Sequence, residues 1–170
     1  MTITSAQVVK NAVGQTYAGM ERTLTKGAVF LKEKDLEESV ALNWRLAPDM
    51  FPMNRQIQIA TELPARSLSR LAGAELPEFG AAPESFEGAF ANIKKARDVI
   101  MALSNDALEA DPEGTIALPT PRGERTFPRA VFLQNFVLPN IFFHVTATYL
   151  NLRNIGVDVG KMDFLAAPEG

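Results

Sequence analysis

Proline and glycine divide this chain into four long segments, and this division constrains the fold more than any other feature of the sequence. The breaks fall at 47–48, 73–83 and 111–128. Within each segment apolar residues recur at steps of three and four, which is the spacing of one buried helix face. The pattern predicts helices over 4–32, 48–71, 83–103 and 128–155. No internal repeat or long linker is present, so we expect one domain over 1–170.

The segment between the third and fourth predicted helices has a different character. Residues 114–127 contain β-branched residues, an alternation at Ile116 and Leu118, and the turn signal Pro121-Arg122-Gly123. We expect a short two-stranded hairpin or an extended loop here, attached to an otherwise all-α fold. The fourth helix should end at Gly156 in a left-handed stop, and the tail after it shows no period.

Charge and composition exclude several functions. Seventeen basic residues against twenty acidic ones give a net charge of -3, which leaves no excess positive charge for nucleic acid or an anionic membrane. We find neither a signal peptide nor an apolar run of about 20 residues, and therefore expect a cytoplasmic protein with no membrane partner. The chain has no cysteine and a single histidine, His144, so thiolate chemistry is excluded and metal sites are restricted.

The fourth predicted helix carries a polar line through an apolar surface. Its members are Asn140, His144, Thr148 and Asn151. The helix is apolar on both flanks, so we expect it to pack between neighbours with its phenylalanines, Phe142 and Phe143 included, in the core. A buried polar group without a partner costs about 1–3 kcal/mol. The polar line must therefore bond to itself and to neighbouring helices, or line a wet cavity.

The second predicted helix has a matching polar residue. Its apolar face consists of Met53, Ile59, Ala60, Leu63 and Leu71. Gln56 lies at the centre of that face, whereas Arg55 and Gln58 point elsewhere. Such buried amides bind ligands in some bundles and only fix helix register in others. We expect Trp44 to cover the core as a lid and Arg97 to extend from an apolar face to its rim.

Common catalytic patterns are missing. The inward helix faces hold almost no acidic residues or histidine, which excludes a di-iron centre. Neither a glycine-rich phosphate loop nor a Gly-x-Ser-x-Gly nucleophile motif occurs. No catalytic residue can be assigned from these patterns.

Three strings of the chain carry a resemblance to a known family. They are LAPDMFPMNRQIQIA over 46–60, LPNIFFHVTATY over 138–149 and GKMDFL over 160–165. The chain resembles a bacterial family of unknown function within the DinB-like superfamily (DinB/YfiT-like metalloenzymes). This resemblance implies a four-helix bundle of up-down-down-up type, a homodimer, and a central site between the second and fourth helices.

The resemblance also assigns positions to a metal site. Metal-binding DinB-like proteins hold a divalent ion on three histidines, the last of them twelve residues before the glycine that ends the helix. His144 stands in that relation to Gly156 and matches the third ligand, while Asn140 matches the second and Gln56 the first. Amides are weak ligands for zinc or nickel.

Three functional hypotheses follow. The first is a metal-independent bundle without a cofactor, in which Gln56, Asn140, His144 and Thr148 line a small polar pocket for a small molecule. The second is a transferase or hydrolase that depends on a divalent metal such as Zn or Ni, weakly bound at His144, like the thiol S-transferases of the superfamily. The third is a structural or interaction module whose polar residues only set helix register.

Overall fold

The fold is mostly helical with one small sheet. The computed structural model describes residues 3–120 and 123–166. Its elements are α1 (Ser5–Glu33), α2 (Glu38–Leu42), α3 (Met53–Leu71), α4 (Phe86–Ala102), α5 (Asn105–Glu109), β1 (Thr115–Thr120), β2 (Gly123–Pro128), α6 (Arg129–Val131), a π-helical segment (Phe132–Val137), α7 (Leu138–Asn154) and α8 (Lys161–Phe164). The four predicted helices correspond to α1, α3, α4 and the run from α6 to α7.

The helix starts have local causes. Thr4 accepts a hydrogen bond from the Gln7 backbone and the Gln7 side chain returns one, which caps α1. The second predicted helix begins at Met53, five residues later than expected. Pro52 sits in extended backbone at the N-cap and disfavours helical backbone at Phe51, so the helix cannot continue through from residue 48.

The four long helices surround one core. α1 packs against α4 and α7, and α3 packs against the same two helices. Near the centre the Tyr17 hydroxyl of α1 donates to the Ala60 carbonyl of α3 over 2.9 Å. Burial raises the pKa of this phenol. The packing order makes α3 and α7 neighbours along a long seam.

The last long helix is irregular near Pro139. This proline predicts a bend, whereas the wide turn before it is not predicted by the sequence. Residues Arg129–Asn154 form one run of 26 residues, and within it the Leu138 amide donates to the Leu133 carbonyl, five residues earlier. Pro139 follows directly, and its missing N–H leaves the carbonyl of Asn135 without its ladder donor. Wide turns of this kind are often found at functional sites.

The same helix corrects the expectation that no segment is long and apolar enough to cross a membrane. By length and composition Arg129–Asn154 could do so, with a mean hydropathy of 1.3. Core helices of soluble proteins pass the same test. Here Ile141, Val145 and Leu152 are buried against neighbouring helices.

One flank of α7 is more exposed than expected. Phe142 and Phe143 are 43% and 57% exposed, so their predicted place in the core is wrong. Trp44 is 40% exposed rather than a core lid, and its indole N–H donates to Asn154 Oδ1 over 2.8 Å. The long neighbours of α7 are α1 and α3, and neither covers this flank. Arg97 does reach a rim, where it pairs with Glu21 at 2.6 Å.

The hairpin and the tail complete the fold. β1 and β2 pair antiparallel from Thr115 opposite Pro128 to Thr120 opposite Gly123, which confirms the hairpin. The predicted turn residues Pro121 and Arg122 lie outside the described residues. Gly156 has φ +100° and ends α7 as predicted. The tail contains α8, which is too short to show periodicity and packs on α1.

Candidate functional site

The seam between α3 and α7 holds one polar pair. Gln56 is 1% exposed and His144 is 8% exposed. The Oε1 atom of Gln56 lies 2.7 Å from Nδ1 of His144, and Nε2 of Gln56 donates to the Phe51 carbonyl over 3.2 Å. Because this second bond orients the amide, its oxygen faces the ring, and ring Nδ1 therefore carries the hydrogen.

The histidine is uncharged at neutral pH. Burial of the ring, and secondarily the positive charge of Arg55, lowers the pKa of His144 to about 4. The neutral ring donates through Nδ1 and keeps a lone pair on Nε2. Phe143 meets the imidazole edge-on, with the ring centroids 5.1 Å apart.

The rest of the polar line bonds within its own helix. The Asn140 side chain donates to the Phe136 carbonyl at 2.7 Å, Thr148 to the His144 carbonyl at 2.9 Å, and Asn151 to the Ala147 carbonyl at 2.8 Å. In each case the acceptor is the backbone carbonyl four residues earlier in the same helix. Local bonds of this kind compete with hydrogen bonds to other helices. Of the predicted site residues, the structure therefore joins only Gln56 and His144 side chain to side chain.

The donor set does not fit the metal site that the resemblance implies. The oxygen of Gln56 already accepts from His144, and the Asn140 side chain makes its bond to the backbone of its own helix. Among residues 3–120 and 123–166, no group of three His, Cys, Asp or Glu side chains is placed to hold an ion. Transition-metal sites in proteins use at least three such strong ligands.

A cavity lies beside this pair, on the outer side of α3. It has a volume of about 380 Å³ and lies between α3, β1 and the π-helical segment. The lining residues are Arg55, Ile59, Glu62, Leu63, Arg66, Ser67, Arg70, Leu118, Pro119, Thr120 and Phe136. None of the four predicted ligand-binding residues lines it. Arg55 connects the two regions, because it lines the cavity and its charge acts on His144.

The charged residues of the cavity escaped the sequence analysis. The sequence predicts that Arg55 points away from the site, and it assigns Ile59 and Leu63 to the core face. In the structure all three residues line the cavity, and Ile59 and Leu63 are half-buried. A usable signal was present: Ile59, Leu63, Arg66 and Arg70 recur at steps of four, three and four. That spacing puts apolar and cationic side chains on one face of α3.

Comparisons with known proteins identify the family. Residues 6–165 match the family described as a domain of unknown function, DUF1993, and the chain belongs to that family. A crystal structure of a DinB family member from Shewanella denitrificans is similar, with 27% sequence identity and a TM-score of 0.81 over 97% of this chain and 96% of that chain. None of the curated proteins matches the chain. The resemblance to a DinB-like family of unknown function is thereby confirmed. The homodimer stays a prediction.

Acid should destabilise the protein through His144. The unfolded histidine has its ordinary pKa of 6.5 and the folded one about 4, so the unfolded state binds the extra proton as the pH falls. The contribution of the neutral His144 ring to the free energy of unfolding is therefore complete above pH 6.5, and it decreases as the pH falls to about 4. Between pH 7 and 5.5 we expect the free energy of unfolding to fall by about 1 kcal/mol in urea titrations. A His144→Gln variant should lack this loss, and equal pH slopes in both proteins would contradict the assignment.

The Gln56–His144 bond should appear as an energetic coupling. Gln56→Met and His144→Leu each leave a buried partner unsatisfied and should each lower the free energy of unfolding by about 1–3 kcal/mol. The double variant should lose less than the sum, with a coupling of about 1 kcal/mol. As a control, Thr148→Val removes a bond within one helix and should add to Gln56→Met without coupling. An additive result for Gln56 and His144 refutes the bond.

Proposed function

We propose that this chain is a cytoplasmic protein that binds a small molecule without a bound metal, on a DinB-like four-helix bundle of up-down-down-up order. The ligand occupies the cavity between α3, β1 and the π-helical segment. The observation that carries this proposal is the cavity itself, about 380 Å³ with both apolar and cationic walls. Small-molecule sites have volumes of roughly 300–1,000 Å³ and combine apolar walls with a few polar groups.

The cavity walls suit a binding role. Ile59, Leu63 and Phe136 contribute apolar surface from two helical elements, and Leu118 contributes it from the hairpin. A ligand there would be held by three elements that are distant in sequence. The hairpin, which has no core of its own, thus gains a function as one wall of the site.

The polar pair has a supporting role in this proposal. The hydrogen bond from His144 to Gln56 pairs ring Nδ1 with the amide oxygen across the seam, which favours the interpretation of the two residues as ones that set the register of α3 against α7. Gln56, Asn140, His144 and Thr148 then position the helices behind the cavity. This combines the ligand-binding hypothesis with the register hypothesis.

Metal independence rests on the donor chemistry of these residues. Two of the three matched positions hold amides, and the only histidine already uses one ring nitrogen for Gln56. The remaining lone pair on Nε2 is a single strong ligand. One strong ligand gives little affinity for zinc or nickel.

Divalent metals should leave the stability of the protein unchanged. A ligand that binds only the folded state stabilises it, by about 2.7 kcal/mol at a hundredfold excess over Kd. We expect micromolar zinc, nickel or manganese to move the melting temperature of the wild type by less than about 1 °C. The double variant Gln56→His/Asn140→His is the positive control and should gain several degrees with zinc. A comparable shift in the wild type would refute metal independence.

Filling the cavity should abolish ligand binding. We expect a mixed library of neutral, anionic and cationic fragments to shift amide NMR resonances of α3 and β1, because these elements line the cavity. Leu63→Trp places a larger side chain there and should remove those shifts. Val8→Trp, at an exposed position of α1, is the matched control and should retain them. Fragment shifts that map elsewhere, or that survive Leu63→Trp, would contradict the proposed site.

A further inference from the structure

We infer that the ligand of this cavity is an amphipathic monocarboxylate, with its carboxylate on Arg70 and its apolar body along Leu63 and Ile59. This inference rests on the proposed function and names the ligand class of the same site. It depends on three features of the cavity: the charge at one end, the lack of a hydrogen-bond or ion-pair partner for Arg70 among the described residues, and the apolar walls between the charged ends.

The first feature is the charge at the end of the cavity near the C-terminus of α3. Glu62, Arg66 and Arg70 follow one another at steps of four and so share a helix face. Arg66 lies 3.7 Å from the Glu62 carboxylate and also contacts the Pro77 carbonyl at 3.4 Å. Glu62 and Arg66 thus neutralise each other, and one positive charge remains at Arg70. One monoanion balances the charge at this end of the cavity.

The second feature is the unused guanidinium of Arg70. The residue is half-buried and lines the cavity, and within 3–120 and 123–166 its side chain makes neither a hydrogen bond nor an ion pair. A guanidinium presents a planar fork of donors that matches a carboxylate.

A structural role for Arg70 is the competing explanation. It stands in the last turn of α3, where a cation interacts favourably with the helix dipole. However, the Leu71 carbonyl at this helix end already accepts from Arg129 Nη2 over 2.8 Å. Arg70 is therefore not needed to cap the helix, and its fork stays available for a ligand.

The third feature is the apolar stretch next to Arg70. Ile59 and Arg70 are eleven residues apart, which is roughly 16 Å along the helix axis. Leu63 lies between them, and Leu118 and Phe136 face the same space. At the far end the guanidinium of Arg55 is engaged, because it donates to Gln58 and lies 5.9 Å from the centre of the Phe51 ring. One guanidinium with its donors unused, beside a long apolar wall, fits a chain with one carboxylate.

The experiment compares three probes with one apolar chain and different head groups. Octanoate, octan-1-ol and octyl phosphate are titrated into the full-length protein, with affinities taken from the NMR shifts of α3 and β1 residues. We expect octanoate to bind at least tenfold more tightly than octan-1-ol and at least as tightly as octyl phosphate. Arg70→Gln should weaken octanoate at least tenfold and leave octan-1-ol unchanged.

Two further variants separate the ligand role from a structural one. Arg70→Lys keeps the charge at the helix end but loses the fork, so octanoate should still weaken although stability is retained. Arg153→Gln removes an exposed arginine from the last turn of α7 and should change no affinity. Equal binding of octanoate and octan-1-ol, or no effect of Arg70→Gln, would refute the carboxylate assignment while the cavity still binds. Tighter binding of octyl phosphate would reassign the head group, and no shift with any probe would refute the proposed site itself.

Discussion

Among the described residues, one side-chain hydrogen bond joins α3 and α7 across their apolar seam, and we propose that the register of the two helices depends on it. Gln56 is buried, and its amide oxygen accepts from the His144 ring while its NH2 group donates to the Phe51 carbonyl. The bond therefore links the turn before α3, the helix itself and α7. A slip of one helical turn, about 5.4 Å, would leave these groups buried without partners at about 1–3 kcal/mol each. In the observed register, the Gln56 amide and ring Nδ1 of His144 both have partners.

The seam and the cavity lie on two different faces of α3. Its inner face carries Gln56 against α7, and its outer face carries the arginines toward the hairpin. The two faces differ in charge: His144 is neutral in the interior, and the positive charge of Arg55 beside the cavity disfavours a second cation nearby. The seam thereby stays uncharged while the cavity remains positive. Rigid support behind a binding surface limits the entropy lost when a ligand binds.

Periodicity predicted the helices and the burial of the polar pair well, and it failed where packing partners decide the outcome. Gln56 and His144 were expected to be buried, and both are. Phe142 and Phe143 were expected in the core, yet they lie on a flank of α7 that neither α1 nor α3 covers. A helical wheel shows that a flank is apolar but cannot show whether another element covers it.

Hydrogen bonds within one helix also replaced part of the polar network that the sequence predicted between helices. Asn140 and Thr148 could reach across the seam or back to their own helix, and both bond to the carbonyl four residues earlier. The nearer acceptor is always in reach, so it costs less conformational entropy to use. The π-helical turn escaped prediction for a related reason, since Pro139 predicts a disturbed helix without saying how the freed carbonyl is accommodated.

The sequence by itself determined the four helical segments, the hairpin, the stop at Gly156 and the inward positions of Gln56 and His144. These features follow from spacing, proline and glycine, which act over a few residues. Only the tertiary structure decided that His144 pairs with Gln56, and that β1 closes a cavity over the arginine face of α3. Those contacts join residues 88 positions apart in one case and different elements in the other. They depend on the path of the chain between elements, which local periodicity does not encode.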